Sequence, residues 1–180
     1  MFKITATVLA IMSATPAIAE TTTLYRSGSW EAFAGTAEDG HNVCGAIEKT
    51  DTKAFVVKWF EGERRLTIHI VDSTWSAPSL KYIPVEIEFV GFPAWKATAT
   101  SAVSASGLTY LELSVSSEKV LDFWTELSAS SRMLVRFPTL PIPDWIGRLD
   151  GSAAAVEVMV KCIVNMPEQK HPSVPSINTF

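Results

Sequence analysis

The chain has 180 residues, with 15 lysines and arginines against 19 aspartates and glutamates, a net charge of −4 at pH 7. That length corresponds to about one domain and is enough for a hydrophobic core without help from a metal. The mildly acidic balance argues against nucleic acid or an anionic membrane as the partner.

The N-terminus reads as a leader. Lys3 precedes an apolar run over residues 4–12, which leads to Ala17-Ile18-Ala19 just before Glu20. A positive start, a short apolar stretch and a small-residue cleavage site make a secretory signal peptide over residues 1–19. The apolar stretch falls short of the roughly 20 residues that span a bilayer. The mature chain is expected to begin at Glu20, as one β-rich domain over residues 20–166, without a transmembrane segment, in the periplasm or secreted as in Gram-negative export. The only two cysteines, Cys44 and Cys162, then sit in an oxidising compartment and are expected to form a disulfide.

Residues 20–28 are polar and are expected to fray. A short strand follows at 30–33, then a turn-rich loop over 35–42 and a strand over 43–48 carrying Cys44. Over 54–60, Phe55, Val57 and Trp59 share one face. Over 64–71, Leu66, Ile68 and Ile70 alternate with Arg65, Thr67 and His69. Two alternating runs around the Glu61-Gly62-Glu63 turn make a hairpin. The pattern recurs at 83–89, where Ile83, Val85, Ile87 and Phe89 alternate with Glu86 and Glu88, and returns over 95–100 and 108–115.

The period changes over 117–128. Val120, Leu121, Trp124 and Leu127 make the stripe of a short amphipathic helix, with Ser116 or Ser117 as its cap. Strands follow at 132–137 and 145–149, and a last helix runs from 152 to about 164, with Ser152 as its N-cap. Residues 167–180 carry three prolines and no period, which reads as a disordered tail. The fold expected is mainly β: an antiparallel β-sandwich or flattened barrel of about eight or nine strands with two short helices.

Residues that carry chemistry are sparse. Of the three histidines, His171 lies in the tail, His41 in a polar loop and His69 on the outward side of its strand. None has a neighbouring activated nucleophile or a second ligand at metal-binding spacing. Glu86 and Glu88 share a strand face and are the one candidate pair for glycosidase-like acid–base work, but the alternation places them and His69 in water. Arg132 and Arg136 on one strand and Arg64 and Arg65 on another would form a basic patch if those strands were neighbours. The six tryptophans, Trp30, Trp59, Trp75, Trp95, Trp124 and Trp145, serve either as core or as a stacking surface for a flat ligand. No catalytic residue, metal site or cofactor is expected.

The last third runs Val120-Leu121-Asp122-Phe123-Trp124, Met133-Leu134-Val135-Arg136-Phe137, then Leu149-Asp150-Gly151-Ser152-Ala153-Ala154-Ala155 into a closing helix. With Trp30 in the first strand and Cys44 soon after, this resembles the invasion-associated locus B family of Gram-negative exported proteins. The resemblance implies a small secreted β-sandwich of the periplasm or envelope and carries over no catalytic residue. The function expected is therefore non-enzymatic binding of a protein or an envelope polymer, supporting host interaction or envelope integrity. The alternatives are a carbohydrate- or small-ligand-binding module using exposed tryptophans and, further off, a hydrolase using Glu86 and Glu88.

Overall fold

The computed structural model describes residues 21–166 apart from 38, 76–81 and 105. The expected leader (1–19) and tail (167–180) lie outside the described residues. Ten strands follow in chain order: β1 (Thr21–Ser27), β2 (Trp30–Thr36), β3 (Asn42–Lys49), β4 (Lys53–Phe60), β5 (Arg65–Asp72), β6 (Ile83–Phe89), β7 (Trp95–Val103), β8 (Thr109–Ser116), β9 (Arg132–Arg136) and β10 (Trp145–Arg148). Helix α1 (Val120–Ala129), entered through a single 3-10 turn, lies between β8 and β9, and α2 (Ser152–Val164) follows β10.

All strand pairs are antiparallel, in the order β1-β2-β3-β4-β5-β8-β7-β6-β9-β10. The meander β6-β7-β8 is flanked by β5 and β9, which gives Greek-key connections. The ends do not meet, so the sheet folds over as an open sandwich rather than closing as a barrel. Its two layers face one another through Phe55 of β4 and Trp145 of β10, whose ring centroids lie 6.1 Å apart.

The inward sets are the alternating ones. Leu66, Ile68 and Ile70, then Ile83, Val85, Ile87 and Phe89, then Met133, Val135 and Phe137 are all buried. Helix α2 packs on β1, β2 and β3. Cys162 on α2 is disulfide-bonded to Cys44 on β3, with Cα atoms 5.9 Å apart and 118 residues between them in sequence. Closing a loop of that length in the unfolded chain is worth about 4–5 kcal/mol in the chain-entropy model.

Several local expectations are corrected. Residues 21–27 form β1, held by pairing with β2, where the polar sequence predicts fraying. In α1 the buried residues are Val120, Phe123 and Leu127, while Leu121 is 72% exposed; the i, i+3, i+7 face won over the i, i+1, i+4 one. Neither helix has a side-chain cap. The residue before α2 is Gly151, in the left-handed region, and the Ser152 hydroxyl instead donates to the Leu127 carbonyl at 2.9 Å. That bond ties the start of α2 to the end of α1.

Residues 27–28 and 150–151 meet at the β1–β2 turn. Gly28 has φ +58°, as the first central residue of a two-residue hairpin of this kind requires. A Cβ there would lie 2.2 Å from the Asp150 carbonyl oxygen, and one on Gly151 would lie 1.8 Å from that of Ser27. Gly151→Ala is therefore expected to lower the unfolding free energy by at least about 2 kcal/mol. Gly40→Ala is the control: φ is +87° and nothing lies within 4 Å of the new carbon, so only the backbone term of about 1–2 kcal/mol remains. Urea unfolding of the two variants separates the contact from the backbone term.

Candidate functional site

The outward face of β4, β5 and β8 carries a line of three titratable groups. His69 lies directly across from Glu112, and Lys58 is on the next strand. Lys58 Nζ is 3.2 Å from His69 Nδ1, and His69 Nε2 is 3.0 Å from a Glu112 carboxylate oxygen. The Tyr110 ring stacks on the imidazole with centroids 4.5 Å apart. The His69 side chain is only 13% exposed, so the expectation of a wet histidine is corrected. Val56, its cross-strand neighbour, is itself buried although it faces outward, and the tyrosine ring shields a further side.

The environment sets the charges. Burial holds the Lys58 ammonium below the ordinary lysine range, against the pull of Glu112. Burial also moves His69 below its ordinary value, outweighing its hydrogen bond to Glu112. Glu112 is shifted down, first by the hydrogen bond from His69. An ammonium can only donate, so Nδ1 accepts from Lys58 and Nε2–H donates to Glu112. The result is a neutral, oriented imidazole between a cation and an anion. Among the described residues the partners of this imidazole are Lys58, Glu112 and Tyr110.

The other candidates are separated from one another. Glu86 is paired with Lys96 at 3.2 Å, and Glu88 with Arg136 at 2.7 Å. Both carboxylates thus lie in ion pairs on the outer face of the smaller layer. The basic patch does not form: β5 and β9 are not neighbours, Arg136 is held by Glu88, and Arg65 by Glu63. The main-chain amide of His41 donates to the Asp39 carboxylate within its loop. No cluster of three metal-ligating side chains occurs among the described residues, and His171 lies outside them.

The tryptophans serve mainly as core. Trp30 and Trp145 are buried, and Trp59, Trp75, Trp95 and Trp124 pack partly buried against the core. Trp59 and Trp124 lie side by side, with ring centroids 6.4 Å apart, and both are half-buried. Trp75 does line a cleft of about 330 Å³ at one end of the sandwich, with Phe137, Trp145, Asp72 and Lys53. Asp72 is engaged there by Lys53 at 3.7 Å and by the Thr74 hydroxyl.

Sequence reasoning missed Glu48. It faces inward on β3 between its cross-strand neighbours Trp30 and Phe55 and is 2% exposed. One carboxyl oxygen has no hydrogen-bond partner. Burial raises its pKa, opposed by the Arg148 amide and guanidinium, and nearby Asp150 raises it further. The only signal in the sequence was parity: Glu48 shares the inward phase of Cys44 and Ala46.

The residues that matched the family pattern come together here. The Trp30 indole N–H donates to the Arg148 carbonyl at 2.8 Å. Leu149 and Ala155 are buried, and Gly151 makes the close approach described above. No protein-family model matches the chain, and no curated protein does. Among solved structures the fold is similar to the crystal structure of invasion associated protein B from Bartonella henselae, with a TM-score of 0.55 and 13% identity over 78% of this chain and 96% of that one. At that identity the likeness is one of fold.

Two outcomes follow. Because the folded pKa of Glu48 is raised, the stability linked to its protonation is fully present below its unfolded pKa and lost as pH rises through the folded value. Glu48→Gln should therefore be more stable than the wild type at pH 7 and above, with the advantage vanishing in acid; thermal melts across pH 4–8 read it directly. For His69, long-range nitrogen–proton correlation spectra should show the Nε2–H tautomer at pH 7 and a titration midpoint below that of an exposed histidine.

Proposed function

We propose that this chain is a non-enzymatic, exported protein of the Gram-negative envelope that binds another protein or an envelope polymer, in support of host interaction or envelope integrity. One observation carries the reading. Among the described residues β1 pairs with β2 alone, and six of its seven residues are exposed, which leaves its other edge available for strand addition. Leu24 and Tyr25 are 44% and 42% exposed on it. The register of β1 shifts between Thr23 and Tyr25, which turns Leu24 out of the ladder as a bulge.

Export is favoured by the signal-like leader and by the disulfide, which belongs in an oxidising compartment. No helix among the described residues is long and apolar enough to cross a membrane. The fold likeness to invasion associated protein B points the same way. A second reading rests on the Trp75 cleft, whose volume falls within the roughly 300–1,000 Å³ of small-ligand sites. There a sugar or other flat ligand would stack on one ring, and quenching of Trp75 fluorescence by envelope glycans is its test.

Capture from envelope extract tests the main reading. A Leu24→Lys, Tyr25→Lys double variant should retain the fold, because both side chains are exposed, and should recover its partner about tenfold less well than the wild type. His69→Ala and Glu88→Gln should recover it at the wild-type level. Equal recovery by the β1 variant and the wild type would remove the edge from the binding surface.

A further inference from the structure

β7 changes partner along its length. Trp95–Ala99 pairs with β6, and Thr100–Val103 pairs with β8. β8 runs on past that point: residues 113–116 pair with β5 and, among the described residues, with no strand on the side that β7 has left. The two strands diverge, and a slot of about 160 Å³ opens between them into the sandwich. Its floor is made by Ile68, Ile87, Leu113 and Phe123, none more than 5% exposed. The small side chain of Ala97 leaves the space, and Lys96 and Lys119 stand beside it. A wider trough continues outward past Asp122 and Glu126.

We propose that this slot receives an extended peptide segment of a protein partner, which adds a short strand between β7 and β8 and sets one large apolar side chain on the floor. The inference rests on the protein-binding reading above and names the partner's chemistry. Three observations favour a peptide. The void is smaller than the roughly 300–1,000 Å³ of a small-molecule pocket and is on the scale of one leucine or phenylalanine side chain. The slot is walled by two strand edges whose outward main-chain groups have no strand partner among the described residues. An acyl chain lying there would dehydrate those groups without giving them hydrogen bonds, at about 1–3 kcal/mol each, whereas a peptide backbone satisfies them. The charged residues lining the slot are both lysines; Lys96 is held by Glu86, and Lys119 makes no ion pair among the described residues. An acidic residue beside the apolar anchor is therefore favoured.

The test selects random heptapeptides displayed on phage against the disulfide-bonded protein, with an Ala97→Leu variant, which fills the slot, as counter-selection. A synthetic copy of the strongest heptapeptide should shift the amide resonances of residues 95–99 and 113–116. It should bind at least tenfold more weakly to Ala97→Leu. N-methylation of its alternate amides, which leaves the protein untouched, should cost at least tenfold as well. Failure to select any peptide, unchanged binding after N-methylation, or shifts confined to other residues would overturn the proposal. Dodecanoate shifting these amides where no heptapeptide does would reassign the slot to an amphiphile. An envelope partner captured equally by the wild type and Ala97→Leu would remove the slot and leave the protein-binding reading standing.

Discussion

The rest of the structure depends on how residues 148–151 lie against the β1–β2 turn. Two main chains approach so closely that neither Gly28 nor Gly151 has room for a Cβ. The approach brings the Arg148 carbonyl to the Trp30 indole, so the largest inward side chain of β2 is buried with its one donor satisfied. It places β10 over β2–β4, so that Trp145 meets Phe55 and the layers close. It also launches α2 from a left-handed residue in the direction that carries Cys162 to Cys44. Contacts between residues 118 apart in sequence are entropically expensive to form. Here a hydrogen bond, a ring contact, a tight glycine pair and a disulfide all secure the same closure.

The larger layer differs from a sheet with one dry and one wet face. On β3 and β4 the outward residues Val43 and Val56 are buried as well. Phe33 on β2 lies flat across Gly45, where any larger residue would collide with its ring. Central strands of a wide sheet shield one another, and an aromatic laid over a glycine seals the surface further. His69 and Lys58 stand in that setting. Their shifted ionisation is a property of the sheet's outer surface, with no cleft involved.

This explains which parts of the fold were legible in the sequence. Period-2 alternation located the core strands and their inward residues, because one face of each must be apolar whatever it pairs with. The same rule misread His69, since alternation assigns a face and is silent on what neighbouring strands lay over it. β1 was missed because Thr21–Ser27 has no apolar period and owes its structure to pairing with β2. The divergence of β7 from β8 was not legible either: alternation runs from Trp95 to Thr100 and breaks at Thr100-Ser101, but a break in period does not say that the strand changes partner there. The disulfide was legible because it needed only the compartment and a count of two cysteines. The closure at Gly151 was visible as a short motif with no indication of its partner.

An open sandwich has to manage its exposed edges, since an unpaired strand templates aggregation as readily as recognition. β10 is only four residues long, and its neighbourhood is charged, with Arg148 paired to Asp150. β1 is longer, and its bulge at Leu24 divides the ladder into Thr21–Thr23 and Tyr25–Ser27. A chain adding to that edge must match a break in register, which a generic β-strand does not. On the proposed binding edge such a bulge would discriminate among partners while main-chain hydrogen bonds supplied affinity. Behind that edge α2, clamped by the disulfide, holds β1–β3 against the core from the inner side. An edge backed in this way stays ordered while it is free, so a partner does not have to supply the free energy of ordering it on binding.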